Sequence, residues 1–357
     1  MDNRSHSEFR KYRSVGCDKL LCWAFCFVVT VVVGCSKRPA AIASLPRQSP
    51  LVTLLKTQCG MATAVQTETN SVVKLKGLDL FKASDAALHT LGDAQEIEEL
   101  EIVASDLRTP AFGEIGRLTG LKKLTLLNCQ FLPEQLLTLQ NLTNLETLEL
   151  MFTVGEETSE NMAKMLGKLS PDEEQTAEAL KRKGFREEIV QMALLTDRSM
   201  PCFDKLTRLK RLELVNTYFS AAGLQHLKFL TNLEEANIGP IGLTEETATP
   251  FLAMTKLRSL KYFNVDDGVV NVLSKISSLE DLDLWSGDVT DVSASKLAKL
   301  KKLQHLQIRG NKMTDQGLQH LKELSSLNDL DLGYAKNITA NGLAEFAKSR
   351  PTVVISH

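Results

Sequence analysis

Aromatic residues are scarce in this chain: Phe, Trp and Tyr make up 6% of its 357 residues, against 43% hydrophobic overall. Its interior must therefore be aliphatic, and that much apolar content excludes a disordered chain. Neither sign of charge is in excess, because 42 Lys and Arg face 44 Asp and Glu. The broad basic field that holds nucleic acid is absent, and nucleic acid is not expected as a partner. The seven cysteines, at 17, 22, 26, 35, 59, 129 and 202, form no C-x-x-C pair, and no His stands at zinc-site spacing. Neither a metal nor a cofactor is expected. The longest apolar run, Leu20 to Gly34, is 15 residues, short of the roughly 20 that span a membrane as a helix. Also missing are a phosphate-cradling glycine loop, H-E-x-x-H and G-x-S-x-G, so no catalytic residue is assigned and the chain is read as a non-enzyme.

What the chain does have is a leucine period. Leu303-x-x-Leu306-x-Ile308 recurs at Leu327-x-x-Leu330-x-Leu332, 24 residues on. Cores of this form begin at Leu75, Ile97, Leu121, Leu145, Leu209, Leu233, Leu260, Leu279, Leu303 and Leu327, which makes ten. Self-similarity at this period predicts stacked units that bury their apolar faces only against neighbours. Before most cores an apolar residue recurs at every third position, as in Leu136, Leu139 and Leu142, which predicts a helix leading into each strand. Within a strand, positions four and six are expected to point inward and three, five and seven outward. A rival phase starting at Leu257 evens out the spacing around Leu260; Leu260 is preferred because Phe263 and Val265 then complete its core.

These cores, with Asn311 three residues past one of them and the tail Thr314-Asp315-Gln316-Gly317-Leu318, resemble leucine-rich repeats of the strand-plus-helix kind found in ribonuclease-inhibitor-like and F-box-associated proteins. The resemblance implies an α/β solenoid, a curved arc with parallel strands on its concave face and helices on its convex face. It also implies that Cys129, Ser105, Thr153 and Thr217, which share the place of Asn311 after their strands, are structural, so Cys129 is not read as a nucleophile.

Around the array the domains read as follows. Residues 1–34, with a basic front and the apolar run, form a signal peptide. The run ends Val32-Val33-Gly34-Cys35, which resembles the bacterial lipobox and implies that Cys35 is lipidated and becomes the mature N-terminus. Residues 35–50 are then a tether and the protein is membrane-anchored in the cell envelope, on the outer membrane or the periplasmic face. Cleavage after Ala43, at Ala41-Ile42-Ala43, would instead release it, and an uncleaved apolar run would itself be the anchor. Residues 51–72 are a cap in which Cys59 is a small buried side chain, 73–153 and 201–357 carry repeats, and 154–200 are a helical insertion. The array is expected to close in a strand at Val353-Val354-Ile355 packed against Leu343 and Phe346.

Equivalent outward positions of neighbouring strands form columns. The seventh reads Phe81, Val103, Leu127, Met151 and Val215, and the fifth Asp79, Glu101, Thr125, Glu149 and Glu213. An apolar stripe beside an acidic one suits a protein or peptide partner, unless flanking loops cover the seventh position. In the last three repeats the third position reads Asp281, His305 and Asp329, the fifth Asp283, Gln307 and Asp331, and the seventh Trp285, Arg309 and Gly333. Carboxylates on either side of His305 favour its charged form, and Trp285 beside Arg309 permits a cation–π contact. The expected function is protein or peptide binding on the concave face. Alternatives are an enzyme or metal site at Asp281, His305 and Asp329, or a structural envelope spacer.

Overall fold

The computed structural model describes residues 63–66, 72–78, 85–108, 110, 112–151, 197–215, 221–239, 243–263, 265–285 and 288–357. Among the described residues twelve strands form one sheet in chain order. They are β1 (Thr63–Gln66), β2 (Val72–Leu78), β3 (Glu99–Val103), β4 (Lys123–Leu127), β5 (Thr147–Met151), β6 (Arg211–Val215), β7 (Glu235–Ile238), β8 (Ser259–Phe263), β9 (Asp281–Trp285), β10 (His305–Arg309), β11 (Asp329–Asp331) and β12 (Val354–Ser356). The first pair is antiparallel and every later pair is parallel. This is a leucine-rich-repeat solenoid, as expected: ten cores carry β2 to β11, β1 lies across the first as part of the cap, and β12 closes the last. Leu343 and Ile355 pack against the buried Phe346 end of the core.

Alternation decides which side chains are structural. In β3, β4, β5, β9 and β10 the fourth and sixth residues are buried, among them Leu100 and Ile102, Leu148 and Leu150, and Leu306 and Ile308. The residue after each core's first leucine bonds through its backbone N–H to the same position one repeat earlier: Lys122 to Glu98, Glu146 to Lys122, Lys210 to Glu146, Glu234 to Lys210, Arg258 to Glu234 and Glu280 to Arg258. Those positions alternate in sign, and Lys122–Glu98, Lys210–Glu146 and Arg258–Glu280 are ion pairs of 2.7–2.8 Å. Exposed pairs of this kind contribute little each. Their alternation favours one register over a slipped one.

Two phase assignments need correction. Leu260 pairs with Ala236, a fourth-position residue, so Leu257 and not Leu260 begins that repeat. The inward sixth residue is Tyr262, 1% exposed and edge-on to Phe251 at 6.2 Å. Burying an amphipathic ring where the pattern calls for an aliphatic one made Phe263 look like the core residue. Leu75 likewise pairs with Leu100 and is a fourth-position residue, and an irregularity follows before Leu78 meets Ile102. The phase that placed Asp79 and Phe81 in the fifth and seventh columns therefore does not hold; both residues lie outside the described residues.

The helical expectation is met in two ways. Pro133–Asn141, Met200–Lys205, Gln225–Phe229 and Thr249–Ala253 are 3-10 helices. A 3-10 helix has 3.0 residues per turn and stacks every third side chain on one face. The period-three ladder Leu136, Leu139, Leu142 fits that geometry better than an α-helix. The C-terminal repeats carry α-helices at Asp267–Leu273, Asp291–Leu297, Asp315–Leu321 and Ala340–Ser349. Of the expected insertion, only residues 197–200 are described, running into the 3-10 helix at Met200; Thr153, Thr217, Cys59 and the leader with Cys35 also lie outside the described residues.

Those α-helices are clasped to one another. The caps Thr290, Thr314 and Thr339 each accept a helix N–H through the hydroxyl. Each also donates its own N–H and hydroxyl to the aspartate at the first position of the preceding helix. Thr290 bonds Asp267 at 2.8 and 2.5 Å, Thr314 bonds Asp291 at 2.8 and 2.7 Å, and Thr339 bonds Asp315 at 2.8 and 2.6 Å. Burial acts to raise the Asp267 pKa, but the Ser293 and Thr290 bonds outweigh it and hold it below the usual carboxylate value. A carboxylate this close leaves no room for a side chain on the next helix: a Cβ at Gly317 would stand 2.5 Å from Asp291 Oδ1. We expect Gly317→Ala to destabilise the array by about 1–2 kcal/mol in urea unfolding, as the clasp to Thr314 is pushed open. In an Asp291→Ala background the same change should cost nothing, since alanine is then only the better helix former. An equal loss in both backgrounds would refute the clasp.

Candidate functional site

Outward positions of the sheet form the columns read from the sequence. Glu101, Thr125, Glu149 and Glu213 lie in register, as do Val103, Leu127, Met151 and Val215. The apolar column is partly buried throughout, neither sealed nor bare. The acidic column differs from expectation because cations at the third position reach across to it. Glu149 is only 8% exposed and accepts from Lys123 Nζ and Thr125 Oγ1, each at 2.7 Å. Arg211 stands 3.6 Å from Glu149, 2.5 Å from Glu235, and pairs with Glu213. Burial works against the Arg211 charge, and Glu213, Glu235 and Glu149 outweigh it, so its pKa is raised. Lys74 pairs with Glu99, its neighbour at the third position of the next strand. The acidic stripe is thus largely neutralised by the protein itself, with no ion pair at Glu101 among the described residues. Lys123 and Arg211 escaped the column reading because only the fifth and seventh positions were compared there.

In β9 to β11 the register places Asp281, His305 and Asp329 side by side, and likewise Asp283, Gln307 and Asp331. Trp285 lies beside Arg309. The corrected phase adds β8, which brings Ser259, Lys261 and Phe263 against Asp281, Asp283 and Trp285. Here the third position supplies almost no cation. His305 Nδ1 meets Asp329 Oδ2 at 2.7 Å on an exposed surface, and Ser259 donates to Asp281 at 3.2 Å. Arg309 is 9% exposed; its guanidinium lies 5.3 Å from the Trp285 ring centroid and donates from Nε and Nη2 to Asp331 Oδ2 at 2.9 and 2.5 Å. The expected cation–π contact is therefore present, with its guanidinium fixed by a charge-assisted bond.

Asp283 is the exception in this network. Its Oδ1 is enclosed and accepts no hydrogen bond among the described residues. Burial pushes its pKa up to about 6, against the pull of Arg309 and Lys261 and with a further push from Asp281 and Asp331. An enclosed carboxylate oxygen without a donor is costly. The metal alternative gains nothing here, for among the described residues no three His, Cys, Asp or Glu side chains converge to hold an ion. Cys129 bonds backbone carbonyls of Ile102 and Leu127, and Asn311 bonds Ile308 O and Met313 N, both as structural residues after their strands. Cys202 is buried and free, its thiol pKa raised by burial.

Asp283 generates a stability prediction. The folded state binds its proton more tightly than the unfolded chain, so between about pH 4 and pH 6 its contribution to stability falls as pH rises. At pH 7.5 the ionised group is a full burden. Asp283→Asn should raise unfolding stability there, by on the order of 1–3 kcal/mol, with the gain shrinking towards pH 4. A variant less stable than wild type at pH 7.5 would show that Asp283 is properly solvated or paired.

The fold and these columns define a repeat scaffold, and comparison with known proteins agrees at one place in the chain. Residues 277–336 match the family model described as leucine rich repeat, a span that holds β9, β10 and β11. Similar solved structures include an internalin (inlF) from Listeria monocytogenes, 16% identical, covering 88% of this chain and 98% of that one with a TM-score of 0.43. Internalin C2 from the same organism is 19% identical over 58% of this chain and 70% of its own, with a TM-score of 0.36. A leucine-rich-repeat protein of Leptospira interrogans is 16% identical over 75% and 74%, also with a TM-score of 0.36. No curated protein matches the chain.

Proposed function

We propose that this chain is a non-enzymatic scaffold that binds an extended protein or peptide segment on the concave face of its sheet. The observation that carries this is the β8 to β11 surface, where a stacked Trp285–Arg309 pair and four aspartates stand on contiguous strands. Aromatic and arginine side chains fixed in place are the usual anchors of a binding surface. Rigid presentation also lowers the ordering cost on binding. The partner columns at Val103, Leu127, Met151 and Val215, with Glu101, Glu149 and Glu213, extend the same face towards β3.

The scaffold is proposed to be held in the cell envelope of a bacterium by acyl chains on Cys35, with the residues up to 50 as tether. Among the described residues no helix is long and apolar enough to cross a membrane. A durable lipid anchor needs more than one chain, which the lipobox-like ending Val32-Val33-Gly34-Cys35 would supply. Mass spectrometry of the mature N-terminus after expression in a bacterial host should find acylated Cys35, and an unmodified chain starting at Ser44 would sink the anchor.

For the scaffold itself, a random peptide display selection against the full chain should enrich binders that are lost on Trp285→Ala and Gln307→Arg. The same binders should be kept on the convex-side change Lys299→Glu. Binders indifferent to both concave changes would overturn the concave assignment.

A further inference from the structure

We propose that the β8 to β11 face takes a basic segment, with a lysine or arginine side chain of the partner seated at Asp283 between Asp281 and Asp331. The proposal rests on the concave-face reading above and names its ligand chemistry. The argument begins from a contrast along one sheet. From β2 to β7, third-position cations pair with four of the carboxylates, Glu101 excepted: Lys74 with Glu99, Lys123 with Glu149, and Arg211 with Glu213 and Glu235. From β9 to β11 that position reads Asp281, His305 and Asp329. Four carboxylates, Asp281, Asp283, Asp329 and Asp331, then face two permanent cations, Lys261 and Arg309. Arg309 is already committed to Asp331 and to the Trp285 ring.

Asp283 is left with an enclosed Oδ1 that accepts no hydrogen bond among the described residues, an unusual state for a buried polar atom. Around it stand Lys261 from β8, Asp281 from its own strand, Arg309 from β10 and Asp331 from β11. An arriving ammonium or guanidinium would offset the repulsion among the three aspartates and supply the donor that Oδ1 lacks, after a small movement of the covering side chains. An acidic segment would add to the repulsion. Trp285, partly exposed beside this point, offers an aromatic edge to the aliphatic stem of such a side chain. Alternate residues of an extended chain project to the same side about 7 Å apart, so a segment with basic residues at every second position can meet Asp283 and a flanking aspartate together.

The test uses the full chain and two acetylated, amidated decapeptides, one alternating Lys and Ser and the other Glu and Ser, with binding read by fluorescence anisotropy. The lysine peptide should bind at pH 7.5 at least tenfold more tightly than the glutamate peptide. Asp283→Asn should weaken it about tenfold with the circular dichroism spectrum unchanged, whereas Glu345→Gln on the exposed side of the last helix should have no effect. Binding should weaken as pH falls through about 6, and His305→Gln should keep that profile, separating Asp283 from the neighbouring imidazole. Equal binding of the two peptides, or an Asp283→Asn variant that binds as wild type does, overturns the proposal. The display selection separates the two readings: acidic or neutral binders that depend on Trp285 sustain the concave scaffold and refute its basic ligand, while loss of all concave-dependent binders refutes both.

Discussion

Parallel pairing in chain order is the constraint on which the rest depends. A strand in this sheet bonds only to its neighbours before and after it in the chain. Each repeat therefore leaves its backbone edge and its leucines unsatisfied until the next is laid down. Every pairing from β3 to β11 keeps like positions opposite like, so the fourth and sixth residues must be apolar or small throughout. Even Ala236 and Tyr262, the least typical occupants, are inward and buried. The third, fifth and seventh positions are released from packing. Those are the positions where polar and charged residues gather.

The two ends of the sheet use those positions differently. In β4 to β7 they are spent on internal ion pairs, so Glu149 at 8% exposure is as much a structural group as a surface one. Burial of that pair contributes little net stability, but it silences the charge. In β9 to β11, among the described residues, one carboxylate oxygen, Asp283 Oδ1, accepts no hydrogen bond. The same fold thus carries a muted face and an unbalanced one, and the difference lies in three third-position residues.

Much of this was legible in the sequence because leucine spacing reports hydrogen-bond register directly. The columns through Asp281, His305 and Asp329, and through Glu101, Thr125, Glu149 and Glu213, follow from that spacing alone and agree with the pairing. Errors arose where a repeat departs from 24 residues or from aliphatic filling. Tyr262 hid the true phase of β8 and with it Lys261, and the irregularity after Leu75 misplaced Asp79 and Phe81. The alternating signs at Glu98, Lys122, Glu146, Lys210 and Glu234 could not choose between Leu257 and Leu260, since Arg258 in one phase and Lys261 in the other both continue the series. Pairings across columns, such as Arg211 with Glu149, could not be read from spacing because they depend on how far a long side chain reaches.

The backing of the sheet bears on which face can act as a site. Behind the middle strands run 3-10 helices, whose hydrogen bonds are poorer and whose runs are usually short. Behind β9 to β11 run α-helices, each tied to the next by a threonine that caps its own helix while bonding the previous helix's aspartate. Gly317 and Gly342 keep the space those aspartates occupy. At the far end the Arg350 guanidinium bonds the carbonyls of Lys322 and Leu324 and so fastens the last helix to the turn before β11. A surface meant to hold charged side chains at fixed separation gains most from such support, because misplacement by even an ångström forfeits directional bonds. The unbalanced carboxylates stand in front of the repeats whose helices are clasped, so an excess of one charge and a tied backing coincide at the C-terminal end of the sheet.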